Sequence, residues 1–383
     1  MDNAYSPPGA PPPLVPPPVI APTPPSPPRR GRGWMIFAII LLVLLVFSWF
    51  ILVPLAASRM FGLRGNFNRG FAAVSSHQGG PRLDEVVLDN NESHNKIAVV
   101  TVNGIITSHT ADQAGNTMVD VIKAQLDRAS DDRSVKAVIL KVDSPGGEVM
   151  ASDQINKLLA KFQKDSSKPV ICSMGSLAAS GGYYISVPCR WIEANEMTLT
   201  ASIGVIMEGL NYRHLMDKIG VEPNVYKSGV HKDMLSGMRS TNEIPADEHQ
   251  MVQALIMETY GDFTNVVVQG RSAAHRANGA TGTELATNWM EYADGRVVSG
   301  KQALKLGLVD GIGDFDDAVD KAKEIVGIQR ANLVEYRERY DLSDFLSMFG
   351  QSSRAHDIKL DFGVEAPKLQ AGERYFLWLP PED

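Results

Sequence analysis

Three stretches of the sequence carry groups that could act on a carbonyl. The first is DSPGGEV, Asp143 to Val149, at the end of an apolar run. There Pro145, Gly146 and Gly147 force a tight turn whose N–H groups, unshielded by side chains, can point outward as an oxyanion site requires. Taken alone, these residues would equally serve an ordinary strand-to-helix turn. The second is GSLAASGGYY, Gly175 to Tyr184, in which Ser180 lies among small residues where a helical stretch begins. A hydroxyl at such a corner is accessible, the helix N-terminus favours negative charge developing beside it, and Gly181 supplies the N–H that follows a nucleophile. A serine capping a packed corner carries the same local signature. The pairing raises the chemical reading, because two glycine turns at the C-terminal ends of two parallel strands set their N–H groups around one crevice.

A serine nucleophile needs a base. Of the eight histidines, His77 and His94 fall in a linker, His356 in a terminal extension, and His214, His249 and His275 on solvated helical segments. Only His109 and His231 stand near loops, and no Ser/His/Asp arrangement emerges. Lysine is the other option, since burial disfavours its charged form and makes the amine a base. The third stretch, YKSGVHKDML from Tyr226 to Leu235, offers two, Lys227 and Lys232, and spacing alone does not choose between them.

The elements that must position these groups alternate in type. Strand-like runs IAVVTV (97–102), VKAVILKV (135–142) and PVICSM (169–174) are interleaved with helical patterns around 117–129 and 149–164. Such alternation predicts an α/β fold with right-handed βαβ crossovers and a sheet buried on both faces. Beyond Ser180 the pattern predicts a helix-like GGYYISV, then WIEAN, a helix at 211–219 and a strand at VEPNVYK (221–227). A long amphipathic helix from about Pro245 to Gly270 follows, then a turn–helix–turn–helix unit ending near Gly327.

The rest of the 383 residues bounds where such a fold can lie. Thirteen of the 23 prolines fall in residues 1–28, a composition that cannot pack a core, so residues 1–32 read as a Pro-rich tail. It is a spacer or a docking segment for a polyproline-binding partner. From Trp34 to Ala57 there are 24 residues without a charge, enough for one membrane-spanning helix, assigned to 33–57. Its flanking arginines are balanced, three against three, with the tighter cluster of Arg29, Arg30 and Arg32 favouring an inside N-terminus. Residues 58–95 read as a juxtamembrane linker, 96–327 as the catalytic domain and 328–383 as a C-terminal extension. Residues 1–95 carry a net +2 and the remainder −9, with no basic stripe for a nucleic acid partner. Cys172 and Cys189 have neither zinc-ligand nor CxxC spacing, and no metal or cofactor is expected.

In their order along the chain, VNGII, SPGG, SMGSLAASGGYYIS, TLTASIGVIM, YKSGVHKD and DGRVVSGKQALKLGLVD resemble the S49 peptidase family, the signal peptide peptidase A group in its short membrane-anchored form. The resemblance covers about residues 96–325. It implies a ClpP/crotonase-like fold of stacked ββα units and a Ser/Lys dyad. Ser180 would be the nucleophile and Lys232, the second lysine of the KSGxxKD motif, the general base, with Lys227 a decoy. Ser202 of TASIG would orient the lysine, and Gly147 and Gly181 would hold the oxyanion. It further implies hydrophobic peptide substrates such as cleaved signal peptides, a homo-oligomer in which serine and lysine can come from neighbouring copies, and a cell-membrane location with the N-terminus cytoplasmic and the catalytic domain extracytoplasmic. The sequence departs from the family pattern at Ala201, where a glycine is usual, at Glu148 after SPGG, and in CRWIEANEM (189–197), which lacks a proline. The alternatives are a crotonase-type acyl-CoA enzyme, which would use the same paired N–H groups, and an inactive membrane scaffold of the same fold.

Overall fold

The computed structural model describes residues 80–109, 115–339 and the backbone of 375–377. The expected membrane span, 33–57, lies outside the described residues, as does the Pro-rich tail. Among the described residues no helix is long and apolar enough to cross a membrane.

The fold is mixed α/β. Its strands are β1 (Leu83–Asp89), β2 (Lys96–Asn103), β3 (Val135–Ser144), β4 (Gly146–Glu148), β5 (Val170–Ala179), β6 (Trp191–Ala194) and β7 (Leu199–Ala201), followed by β8 (Val297–Ser299), β9 (Gly311–Ile312), β10 (Asn332–Glu338) and β11 (Tyr375–Leu377). The main sheet runs β1-β10-β2-β3-β5-β6-β9, with β7 paired to β5 and β8 to β7. Strands β10, β2, β3, β5, β6 and β9 are mutually parallel, as the sequence alternation predicts. Both faces are covered because the strands are apolar at nearly every position. Ala98, Val100 and Val102 point to one buried layer, whereas Ile97 and Val99 point to the other.

Helices α1 (Met118–Asp131), α2 (Val149–Ser166), α3 (Gly181–Ser186) and α5 (Glu248–Asn278) contribute to the larger layer, and α7 (Phe315–Val326) closes the smaller one. The short α4 (Arg213–Lys218) and α6 (Gly300–Lys305) complete the set. Helix α1 is fixed by a reciprocal capping box between Thr117 and Asp120.

Three local expectations differ from the structure. The long helix passes Gly270 and ends at Asn278, because Gly270 is where Val187 packs against it: a Cβ there would come within 2.4 Å of Val187 Cγ1. That glycine permits close packing and does not stop the helix. Residues 221–227 form no strand, since no partner edge satisfies their backbone, and Tyr226 is 93% exposed. Finally, β1 lies in the segment expected as linker and β10 in the one expected as extension; they pair antiparallel with each other.

Candidate active site

Ser180 closes the turn between β5 and α3, in a conformation (φ 53°, ψ −114°) that a residue bearing a Cβ seldom adopts. Its N–H donates to the Ala201 carbonyl at 2.7 Å and its own carbonyl accepts from the Tyr184 N–H at 2.8 Å. The serine is thus clamped between β7 and the first turn of α3, and is buried to 1% exposure. Backbone strain of this kind clusters at functional sites, where the surrounding structure holds it. Tyr183 and Tyr184 anchor α3 beneath it, with the Tyr183 hydroxyl donating to the Leu308 carbonyl at 2.9 Å. Burial pushes both phenols far above their ordinary range, so they remain neutral.

Ser202 follows β7 and opens onto the same cleft of about 600 Å³ as Ser180. Ala201 and Ser202 both hold positive φ, 63° and 51°. Hence the alanine stands in backbone better suited to glycine. The Ser202 hydroxyl donates to the Gly295 carbonyl at 3.0 Å, which leaves its oxygen free to accept from an amine. Val205, Ile206, Met257 and Tyr260 make the cleft wall largely apolar, and Glu208 and Asp294 bring carboxylates to it. The Arg296 guanidinium, hydrogen-bonded to Asp294, holds that carboxyl down at about 2.

Gly147 is central in β4, one residue beyond the turn. Ile106 bridges it in parallel: the Ile106 N–H donates to the Gly146 carbonyl and the Glu148 N–H to the Ile106 carbonyl, each at 2.8 Å. By strand alternation, the N–H and carbonyl of Gly147 face the other edge. There β11 lies antiparallel, with Phe376 opposite Gly147. Helix α3 packs against both strands. No other residue fits at 147, since a Cβ would sit 1.9 Å from the Ile106 carbonyl oxygen.

The lysines stand apart from this arrangement. Lys227 is an anchor: its ammonium meets the Asp233 carboxylate at 2.9 Å and donates to the Val230 carbonyl at 3.2 Å. That ammonium, hydrogen-bonded to Asp233, holds the carboxyl below its ordinary range. Asp233 in turn approaches Arg239, which forms a buried ion pair with Glu248 at the start of α5. Lys232 is exposed on the same loop, takes no ion pair among the described residues, and does not line the cleft that holds Ser180 and Ser202.

Sequence reasoning did not foresee a polar cluster around Glu148, whose carboxylate gathers Thr107, Ser108 and His109. The available signal was a histidine three residues after VNGII and a charged residue directly after SPGG. No group of residues suited to a metal ion occurs among the described residues.

Comparison with known proteins decides what such an arrangement belongs to. The model of peptidase family S49 matches residues 162–329. A protein of Enterococcus faecium, provisionally named signal peptide peptidase SppA, is 37% identical over 277 residues, covering 70% of this chain and 74% of that protein. The chain belongs to peptidase family S49. Protease 4 of Haemophilus influenzae is 36% identical over 248 residues, 65% of this chain but 38% of that longer protein. Among solved structures, the 1510-N membrane-bound stomatin-specific protease covers 59% of this chain at 20% identity with a TM-score of 0.34. Membership of S49 makes the chain a serine protease and sets aside the acyl-CoA reading of its paired glycine turns.

Proposed function

We propose that this S49 protease is a membrane-anchored endopeptidase of ClpP/crotonase-like fold that hydrolyses apolar peptides, spent signal peptides among them, with Ser180 as nucleophile and Lys232 of a second copy as general base. The observation that carries the reading is the strained Ser180 at the head of α3, beside Gly181 and sharing one cleft with Ser202.

In this mechanism the uncharged Lys232 amine, held by the Ser202 oxygen, takes the Ser180 proton as Oγ attacks the peptide carbonyl. The N–H groups of Gly147 and Gly181 receive the oxyanion. The protonated lysine returns its proton to the leaving amine, and water, deprotonated by the same lysine, releases the acyl group from Ser180. The apolar cleft wall supports apolar side chains in the substrate, and the edge of β4, which already receives β11, suits an extended peptide backbone.

Supply of the lysine from a neighbour is supported by the 205–245 segment. It exposes Leu210, Leu215, Ile219, Tyr226 and Val230 at 60–93%, an apolar surface that assembly with further copies would cover. The N-terminus would be cytoplasmic and the protease domain extracytoplasmic, the proline tail serving as spacer or as ligand of a polyproline-binding protein.

Incubating the full-length protein in detergent with a synthetic apolar signal-type peptide, with products read by mass spectrometry, tests this reading. Internal cleavage is expected, with Ser180→Ala and Lys232→Ala each slower by at least about 1,000-fold. Cleavage by Ser180→Ala at the wild-type rate would remove the nucleophile assignment; full activity in Lys232→Ala would remove the base.

A further inference from the structure

The two glycines of the β4 turn leave the backbone that must aim an N–H at the oxyanion without side chains of its own. Gly146 sits at φ 105°, open to glycine alone, and Gly147 has no room for a Cβ. Such a pair samples many conformations unless its ends are held. One end is held by β3, where the Ser144 hydroxyl accepts from the Gly146 N–H at 3.1 Å. The other end is held by Ile106, through the Glu148 N–H. What fixes the turn after Ile106 therefore helps to fix Gly147, alongside the pairing of β4 with β11.

We propose that Glu148 is a positioning residue for the oxyanion site: its carboxylate latches the Thr107–His109 turn onto β4 and thereby fixes the direction of the Gly147 N–H. The proposal rests on the reading of Gly147 as an oxyanion donor.

The geometry is that of a saturated acceptor. Glu148 Oε1 accepts from Thr107 Oγ1 at 2.7 Å and from His109 Nδ1 at 2.8 Å, and Oε2 accepts from the Ser108 N–H at 2.8 Å and from the Ser108 hydroxyl. A carboxylate only accepts, so the Nδ1 of His109 carries the proton. The Glu148 side chain is 6% exposed. Burial alone would raise its carboxyl, but the bonds from Ser108, Thr107 and His109 outweigh it and hold the group below the ordinary carboxylate range. Glu148 also occupies the N-cap of α2, where an acidic side chain commonly serves its own helix, yet it makes no capping bond. Its charge is spent on the turn across the strand. The same residue thus pins β4 twice, by its N–H to Ile106 and by its side chain to the three residues that follow Ile106. A turn of the SPGG type needs no charge at this position, so the carboxylate is not required by the turn itself.

A positioning role predicts a loss confined to the transition state. In the full-length protein acting on the apolar peptide, Glu148→Ala is expected to lower kcat by about tenfold to a hundredfold with KM within about twofold, because one displaced oxyanion donor acts on kcat. Glu148→Gln, which keeps the shape and one carbonyl acceptor, is expected to recover most of that loss. His109→Ala removes one of the four donors at a half-exposed site and is expected to lower kcat several-fold without shifting Tm. Unchanged kcat in Glu148→Ala, or a loss carried by KM alone, overturns the proposal. Should Glu148→Ala fail to fold, unchanged kcat in His109→Ala overturns it. A wild-type protein that cleaves nothing under any of these conditions would overturn the peptidase reading, and the proposal with it.

Discussion

The part of the molecule that holds Ser180 and the part that carries Lys232 are built on opposite principles. Around Ser180, backbone from β4, β5, β7 and α3 converges, every neighbouring strand is paired, and residues with positive φ are locked by hydrogen bonds at both ends. From about residue 205 to 245 the chain has one six-residue helix, few buried side chains and apolar groups facing outward. It is ordered by a short chain of charges from Lys227 through Asp233 and Arg239 to Glu248. On the proposed roles, the nucleophile would thus stand in a region packed within one chain, and the base on a segment that leaves apolar side chains exposed.

Glycine substitutions expose the contrast most strongly. Gly147→Ala drives a Cβ to 1.9 Å from a backbone oxygen and is expected to cost more than about 3 kcal/mol and to abolish cleavage. Gly229→Ala, on the Lys232 loop with nothing within 4 Å, is expected to stay within about 0.5 kcal/mol. Thermal unfolding of the two side by side checks this, and equal losses would erase the distinction between a built region and an open one.

A middling effect concerns the edge of β4. Because β11 pairs there with Gly146, Gly147 and Glu148, deleting residues 372–383 frees that edge for substrate. KM for the apolar peptide is expected to fall several-fold with kcat little changed, as steady-state kinetics would show.

The smallest expected effect is at Ala201. Its φ of 63° costs an alanine roughly 1–2 kcal/mol relative to glycine, while glycine gives back about 0.4–1 kcal/mol through the freer unfolded chain. Ala201→Gly should therefore raise stability by about 0–1.6 kcal/mol, read from the denaturation midpoint. A clear loss would mean that the methyl group packs more favourably than its backbone is strained.

How far the sequence foretold this molecule follows the same divide. The parallel core was legible because VKAVILKV and its neighbours are apolar at nearly every position, and the glycine turns because proline and glycine act locally. Helix α5 was placed correctly at its start, but Gly270 resembled an end, since a packing contact with Val187 leaves no local mark. The β1–β10 pairing joins residues some 250 apart in charged segments, and β11 reaches β4 from beyond residue 370; neither leaves a periodic trace. Around the site, Ser180 and Gly181 lie at the strand-to-helix corner the sequence predicts, whereas Gly147, expected in a turn, lies within the short strand β4. Lys232 was nominated as partner to Ser180, and the single chain does not bring the two together. The cluster on Glu148 was missed because its members are about 40 residues apart and meet only through the bridge at Ile106.

Under the proposed function one copy's serine works with another copy's lysine, and mixed assemblies of two inactive variants report on that pairing. Full-length Ser180→Ala and Lys232→Ala proteins, each inactive alone, would be co-assembled in detergent with distinct tags, and mixed assemblies isolated through both. The account predicts that these assemblies regain a substantial fraction of wild-type cleavage, because some sites pair an intact Ser180 with an intact Lys232. Doubly tagged assemblies that remain as inactive as either parent would contradict it.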